Sequence, residues 1–378
     1  MCGIAGIWGP MAEKAQVLAQ SCQRIAHRGP DSHGFWEDRQ ADLALAHVRL
    51  AILDLSPAGH QPMVSPCERY VLVLNGEIYN HLALRKRLEQ SSLAPAWRGH
   101  SDTETLLACL SALGVQATLQ ACVGMFAFAV WDRATQSLTL ARDRMGEKPL
   151  YYGFSGSAMV FASELKALMP IPGFGAELSR EALTLLMRHN YIPAPWSIYQ
   201  GIFKLPPGTW VTIRSADVRS RHLPEPRAYW SALEAADSAS SSMLTFDSDS
   251  LAADALEAVL SEAVSGQMLA DVSLGAFLSG GIDSSTIVAL MQKQSMSPVR
   301  TFCIGFHEKG YNEAEHAKAV ASHLGTDHTE LYVTAQDALA IVPHLADMYD
   351  EPFADSSQIP TALVMRMARQ HVAVALSG

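Results

Sequence analysis

The stretch Met1-Cys2-Gly3-Ile4-Ala5-Gly6-Ile7-Trp8-Gly9 opens the chain and decides how the rest of it is read. A cysteine directly after the initiator methionine becomes the N-terminal residue once that methionine is removed, which a small second side chain permits. Thiol and free α-amino group then sit on one residue. An α-amino group titrates at about 7.7–8.0, so near neutral pH part of it can take the thiol proton, directly or through a water. That is a nucleophile and its base in one residue. Position two alone favours the plainer reading of a small buried apolar cysteine; the residues downstream reverse it. Ile4 to Trp8 alternates with small residues and reads as a buried strand.

Around that opening, 378 residues exceed the size at which one core stops growing, so two domains are expected. An apolar fraction of 49% with 17% charged residues describes an ordinary globular chain. A net charge of −10 and the lack of any lysine/arginine run argue against nucleic acid as a partner. Cys2, Cys22, Cys67, Cys109, Cys122 and Cys303 show no CxxC spacing, which suits reduced thiols in the cytoplasm. There is no signal-peptide pattern and no apolar run of membrane-spanning length, so no membrane association is expected.

Helical spacing from Glu13 to Ile25 leads into the polar loop Ala26-His27-Arg28-Gly29-Pro30-Asp31-Ser32-His33-Gly34. Strand-like segments follow at Leu43–His47, Leu50–Leu53 and Tyr70–Leu74, the last an unbroken apolar run suited to burial on both faces. It delivers Asn75-Gly76-Glu77. A side-chain amide followed by a glycine N–H could form an oxyanion hole, whereas Asn-Gly is also a common hairpin turn. Ser101 with Glu104 fits a capping box opening a helix to about Leu113, and Asp102 could in addition face an ammonium group. Gly124–Trp131, Ser137–Asp143, Pro149–Phe154 and Ala158–Ala162 read as an antiparallel meander. Strands flanked by helical stretches, without βαβ alternation, indicate a layered α+β domain.

MCGIAGIWG, HRGPDSHG, HVRLAILDLSPAGHQPM, LNGEIYNH, SDTETLL, GMFAFAVWD and ARDRMGEKPLYY, in this order, resemble the glutaminase domain of class II glutamine amidotransferases, and more narrowly glutamine-hydrolysing asparagine synthetases. The likeness covers nearly all of residues 2–210. It implies the N-terminal-nucleophile hydrolase sandwich, two antiparallel sheets between helical layers (αββα). It implies that Cys2 attacks the glutamine carboxamide and that Asn75 and the Gly76 N–H stabilise the oxyanion. Arg49 would hold the glutamine α-carboxylate, a task for its fork of donors. Leu50, Ala51, Ile52 and Leu53 would line the glutamine site beside it, and Asp102 with Glu77 would hold the α-ammonium.

Prolines at 193, 195, 206 and 207 mark irregular connections, and residues 211–250, with a serine-rich stretch from Ser231, read as a linker, flexible over Ser231–Ser250. From 251 to 378 the rhythm changes. Helical spacing over Leu251–Met268 precedes a strand at Leu274–Leu278, a helix at Thr286–Lys293, a strand at Val299–Phe306, a helix at Asn312–Leu324 and a strand at Thr329–Val333. This alternation predicts a parallel, doubly wound sheet. Between the first strand and its helix lies Ser279-Gly280-Gly281-Ile282-Asp283-Ser284-Ser285. By itself it is a glycine-rich turn with Asp283 and Ser284 as caps. It is not a Walker loop. As SGGxDS it resembles the pyrophosphate loop (PP-loop) of ATP-pyrophosphatases, which implies ATP held by Ser279, Gly280, Gly281, Asp283, Ser284 and Ser285, and Mg²⁺ at Asp283. The same resemblance places Leu278 and Ile304 beside adenine or ribose and makes Ser377-Gly378 the start of a second nucleotide-side turn. Tyr349–Ser357 carries three carboxylates that either approach the metal and phosphates or cap the following helix.

The implied activity is ligation: ATP-dependent amidation of a carboxylate, most simply aspartate in asparagine biosynthesis, through an acyl-adenylate and ammonia from glutamine. A sugar acid is an alternative acceptor, and a β-lactam-forming relative or a glutamine sensor the further alternatives, both disfavoured by Cys2. A homodimer is among the assemblies this reading admits. Because the chain stops inside Ala373-Val374-Ala375-Leu376-Ser377-Gly378, the second domain is expected to be incomplete, with glutaminase chemistry retained and synthetase chemistry lacking.

Overall fold

The computed structural model describes residues 2–241, 243–306 and 312–378. Met1, whose removal the sequence predicts, lies outside them. Two compact units result, one of residues 1–242 with 350–353, the other of residues 243–349 with 354–378.

In chain order the first unit contains β1 (Gly3–Trp8), α1 (Lys14–Arg24), β2 (Ser32–Asp38), β3 (Leu43–Arg49), β4 (Met63–Val64), β5 (Tyr70–Ile78), α2 (His81–Gln90), α3 (Asp102–Leu113) and α4 (Val115–Ala121). It continues with β6 (Gly124–Asp132), β7 (Ser137–Arg142), β8 (Tyr151–Ser155), β9 (Ala158–Ala162), α5 (Arg180–His189), β10 (Ile202–Lys204), β11 (Thr209–Arg214), α6 (Ser215–Ser220), β12 (Arg227–Ala228) and α7 (Ala232–Ser240). The strands form two six-stranded antiparallel sheets, β10-β8-β9-β1-β3-β2 and β12-β11-β7-β6-β5-β4.

Side chains of a strand alternate between faces, and the sequence uses both. In β1, Ala5 and Ile7 join the core with Val17, Leu18 and Cys22 of α1. Ile4 and Trp8 point the other way, into the core shared with Val71, Val73, Ala127 and Trp131 of the second sheet. In β5, Leu72 and Leu74 pack on Leu84 and Leu88 of α2 and on Leu106, Leu107 and Leu110 of α3. The result is the αββα sandwich. Trp8 and Trp131 meet edge to face between the sheets with centroids 5.0 Å apart. Burying one such side chain contributes on the order of 1.5–3 kcal/mol.

Three local expectations are corrected. Leu50–Leu53 is a loop, because Asp31 takes the Ala51 N–H at 2.8 Å and the Leu50 N–H points at the Cys2 Sγ, leaving no neighbouring strand to pair with. Ser231–Ser250 is not uniformly loose: its alanines propagate α7, capped by Ser231 Oγ accepting from the Glu234 N–H. The second sheet runs past residue 210, since β11 pairs with β7 and β12 with β11.

The second unit contains α8 (Asp249–Gln267), β13 (Leu274–Phe277), α9 (Ile282–Gln294), β14 (Arg300–Phe306), α10 (Ala314–Leu324), β15 (Asp327–Val333), α11 (Ala335–Ile341), α12 (Leu345–Met348), α13 (Gln358–Ala368) and β16 (Val374–Leu376). The sheet is parallel throughout, in the order β15-β14-β13-β16. Ala276, Cys303 and Leu376 pack with residues of α8, α9 and α10 on one face, while Phe302 packs with Met367 and Ala368 of α13 on the other. A sheet covered on both faces explains the continuous apolar strands. No helix among the described residues is long and apolar enough to cross a membrane.

Candidate active site

Cys2 precedes β1 and is half-buried. Its Sγ lies between the Leu50 carbonyl, 3.5 Å away, and the Leu50 N–H, 3.4 Å away. Its own carbonyl accepts from Arg28 Nε at 2.9 Å. Arg28 is paired with Glu164, which also bonds His27 at 3.1 Å. Burial pushes the Glu164 carboxyl up, but His27 and Arg28 outweigh it and hold it at about 2. Burial likewise pushes the Cys2 thiol up, against the opposing pull of the N-terminal positive charge.

The same pocket is lined by Arg49, Leu50, Ile52, Leu53, Asn75, Gly76, Glu77 and Asp102. Arg49 ends β3, and its guanidinium donates to the carbonyls of Ser56, Leu53 and Asp54. A Cβ at position 59 would stand 2.0 Å from Arg49 Nη2, so Gly59 makes room for the guanidinium. Asn75 and Gly76 lie inside β5, opposite Ala127 and Phe126 of β6, and not in a hairpin turn. Gly76 has φ +154°, and a Cβ there would meet the Met125 carbonyl at 2.1 Å. Both polar atoms of the Asn75 carboxamide are fully buried without a hydrogen-bond partner. A buried amide left unsatisfied costs about 1–3 kcal/mol, which fits a group waiting for a ligand.

Two carboxylates complete the wall. Glu77 is 7% exposed, and burial, then the neighbouring Asp102, push its carboxyl up to about 7. Burial also raises Asp102, although its carboxylate accepts from the Ile78 N–H at 2.8 Å and the Thr103 N–H at 2.7 Å. A cation between them would relieve both. Ser101 does cap α3, accepting from the Glu104 N–H at 3.2 Å. Glu104 turns instead to the N–H groups of Arg98 and Gly99, so the box closes on one side only.

Of the predicted glutamine-site residues, only Ala51 stands outside the lining, its N–H tied to Asp31. Gly59, Gln61, Thr103, Met125 and Lys148 also line the pocket and were not singled out in the sequence, and Ser101, read there only as a helix cap, lines it too. Ser101 and Thr103 flank Asp102, whereas Gly59, Gln61, Met125 and Lys148 carry no chemical pattern of their own, which is why pattern reading passed over them.

In the second unit, Ser279–Ser285 joins β13 to α9. The Ser284 hydroxyl lies 3.0 Å from that of Ser279 and accepts from the Ser279 N–H at 3.2 Å. Gly280 has φ +82°. A Cβ on Gly378 would stand 2.6 Å from Ser284, so the end of the chain lies against the first turn of α9. Asp283 belongs to that turn. Leu278 follows β13 and Ile304 lies in the neighbouring β14, the Leu278 N–H donating to the Phe302 carbonyl at 2.9 Å, with the two side chains on opposite faces of the sheet. Leu278, 1% exposed, is spent on the core beneath α8–α10, and Ile304 packs on the opposite face near Val333 and Ile341. Tyr349–Ser357 splits: Asp355 accepts from the Ser357 N–H at 2.8 Å just before α13, a capping role. Asp350 and Glu351, grouped with the first unit, are ion-paired with Lys166 and Lys204 and approach no metal cluster among the described residues.

The sandwich, with a thiol before its N-terminal strand and an unpartnered amide in the same pocket, defines a glutamine amidotransferase domain. The corresponding family model, the glutamine amidotransferase domain, matches residues 1–230, and the asparagine synthase model matches residues 255–378. The chain is 36% identical over 399 residues to a Mycobacterium tuberculosis protein that carries the name asparagine synthetase [glutamine-hydrolyzing], covering 100% of this chain and 59% of that one. It is 34% identical to asparagine synthetase [glutamine-hydrolyzing] 1 of Bacillus subtilis, covering 100% and 57%. A Methanocaldococcus jannaschii protein that carries the name asparagine synthetase [glutamine-hydrolyzing] 2 is 34% identical, covering 100% and 74%. The chain belongs to the family of glutamine-hydrolysing asparagine synthetases. It spans 57–59% of the length of the first two of these relatives.

Proposed function

We propose that this chain hydrolyses glutamine at Cys2 and that the ammonia serves the ATP-dependent amidation of a carboxylate, aspartate by family likeness. The observation that carries the reading is the buried, unpartnered Asn75 carboxamide in the pocket shared with Cys2. The thiolate adds to the γ-carboxamide carbon of glutamine, and the oxyanion is met by the Asn75 amide and the Gly76 N–H. The tetrahedral intermediate collapses with loss of ammonia to a γ-glutamyl thioester, and water then releases glutamate and restores the thiol. Arg49 takes the α-carboxylate, and Glu77 with Asp102 the α-ammonium. Since burial raises the Cys2 thiol, the reaction needs a base. The α-amino group freed by removal of Met1 supplies one on the same residue.

In the second unit, ATP would lie on the backbone N–H groups of Ser279–Ser285 at the N-terminus of α9, a favourable setting for phosphate. Mg²⁺ would be held by Asp283. No cluster of three or more histidine, cysteine or acidic groups suited to a metal exists among the described residues. One carboxylate suits an ion that takes its other ligands from phosphates and water. Bound there it would neutralise charge on departing pyrophosphate. Six cysteines, all unpaired, support a reducing compartment, the cytoplasm.

The test is glutamate and ammonia release from glutamine by the purified chain beside Cys2→Ala, with the N-terminus verified by mass. Release abolished in the variant is the expected result; equal release in both would refute the assignment.

A further inference from the structure

Leu43, Leu45, His47 and Arg49 occupy alternate positions of β3 and so share one face. Leu43 and Leu45 fill the core between the sheets. His47 sits next in that row, 1% exposed, where a leucine would pack without leaving a polar atom stranded. Its Nδ1 has no partner, while its Nε2–H donates across the gap to the Leu74 carbonyl of the second sheet at 3.0 Å.

Leu74 is where β5 loses a neighbour. The pairing of β4 with β5 stops at Met63 opposite Leu72, and Pro62, which has no N–H, cannot extend it. Side chains replace the missing strand. Gln61 Oε1 accepts from the Leu74 N–H at 2.6 Å, and His47 donates to the Leu74 carbonyl. Gln61 Nε2 donates in turn to Thr103 Oγ1 at 3.3 Å, beside Asp102. Both polar groups of the residue before Asn75 are therefore fixed from outside the ladder, whereas the Asn75 carboxamide has no bond of its own to orient it.

We propose that His47, together with Gln61, is a positioning residue for catalysis: the pair clamps Leu74 and thereby aims the Asn75 amide at the developing oxyanion. This rests on the glutaminase reading above and assigns a further part of that site. A buried polar residue that breaks the apolar pattern without a full set of partners is what a site-directed constraint looks like. Burial holds the imidazole neutral, down to about 3, so it remains a single-proton donor throughout the neutral range.

The experiment uses the full chain with Met1 removed and compares wild type, His47→Ala and His47→Gln. The glutamine side chain keeps an N–H donor near the place of Nε2. For His47→Ala, kcat for glutamine hydrolysis should fall by roughly ten- to hundredfold, somewhat less than the loss of a direct oxyanion donor. The KM should stay close to wild type, since Arg49, Glu77 and Asp102 are untouched. Iodoacetamide should alkylate Cys2 at the wild-type rate, while the γ-aldehyde of glutamate, which forms a tetrahedral adduct, should bind more weakly by about the factor lost from kcat. His47→Gln should recover most of both. An active wild type with an equally active His47→Ala overturns the clamp alone. Equal losses in both variants together with lost Cys2 alkylation overturn it as well, pointing to packing. An inactive wild type overturns the glutaminase reading, and the clamp with it.

Discussion

Glu77 and Asp102 show how single residues are tuned by their surroundings. Burial is the leading cause that raises both, and Lys148 in the same pocket lining opposes the rise at Glu77 without cancelling it. With Glu77 at about 7, an empty site near neutral pH holds a mixture of protonated and ionised forms. Only the ionised form attracts the α-ammonium of glutamine, so binding must expel a proton below that pH. The KM for glutamine should therefore rise as pH falls from 8 to 6, approaching tenfold per unit at the acid end, and Glu77→Gln should remove the dependence. A flat KM in the wild type would exclude Glu77 from the ammonium site. In the ligand-free protein the same raised carboxyl favours folding at low pH, and that contribution is lost as pH rises through about 7.

At the scale of elements, the chain around Cys2 is held by a link between the loop before β2 and the turn after β9. Arg28 and Glu164 are 9% and 8% exposed, and Arg28 Nε donates to the Cys2 carbonyl. Removing one member of a buried pair leaves an uncompensated charge and costs about 3–5 kcal/mol, which is the loss of unfolding free energy expected for Glu164→Gln by chemical denaturation. Because the folded carboxyl is held at about 2 against an ordinary value of 4.5, its contribution is complete above 4.5 and lost as pH falls toward 2. Wild-type stability should decline over that interval, more steeply than in the variant; parallel curves would refute the coupling. Element identity itself was legible where period and chemistry agreed. Strands β1 and β5 announced themselves because both faces are buried, and Cys2, Arg49, Asn75 and Asp102 stood out within dense motifs. Leu50–Leu53 was misread since its apolar run serves the pocket wall and not a ladder. His47 and Gln61 were not legible as a pair, because what joins them is a peptide group of a strand 27 and 13 residues away.

For the molecule as a whole, two units of different architecture follow one another, and the sequence distinguishes them by the change from antiparallel meander to strand–helix alternation. The serine-rich connection deceived because serine disfavours helices only weakly, and the alanines between carry α7. At Leu278 and Ile304 a common apolar character gave no sign that the two side chains face opposite sides of one sheet. The central claim, that the N-terminal thiol is the nucleophile toward glutamine, is tested most directly by acid-quenching the chain during glutamine turnover and mapping covalent adducts by peptide mass spectrometry. The account predicts a γ-glutamyl thioester on the peptide bearing Cys2, absent from Cys2→Ala. Sustained turnover with Cys2 unmodified, or with the adduct on another residue, would contradict it.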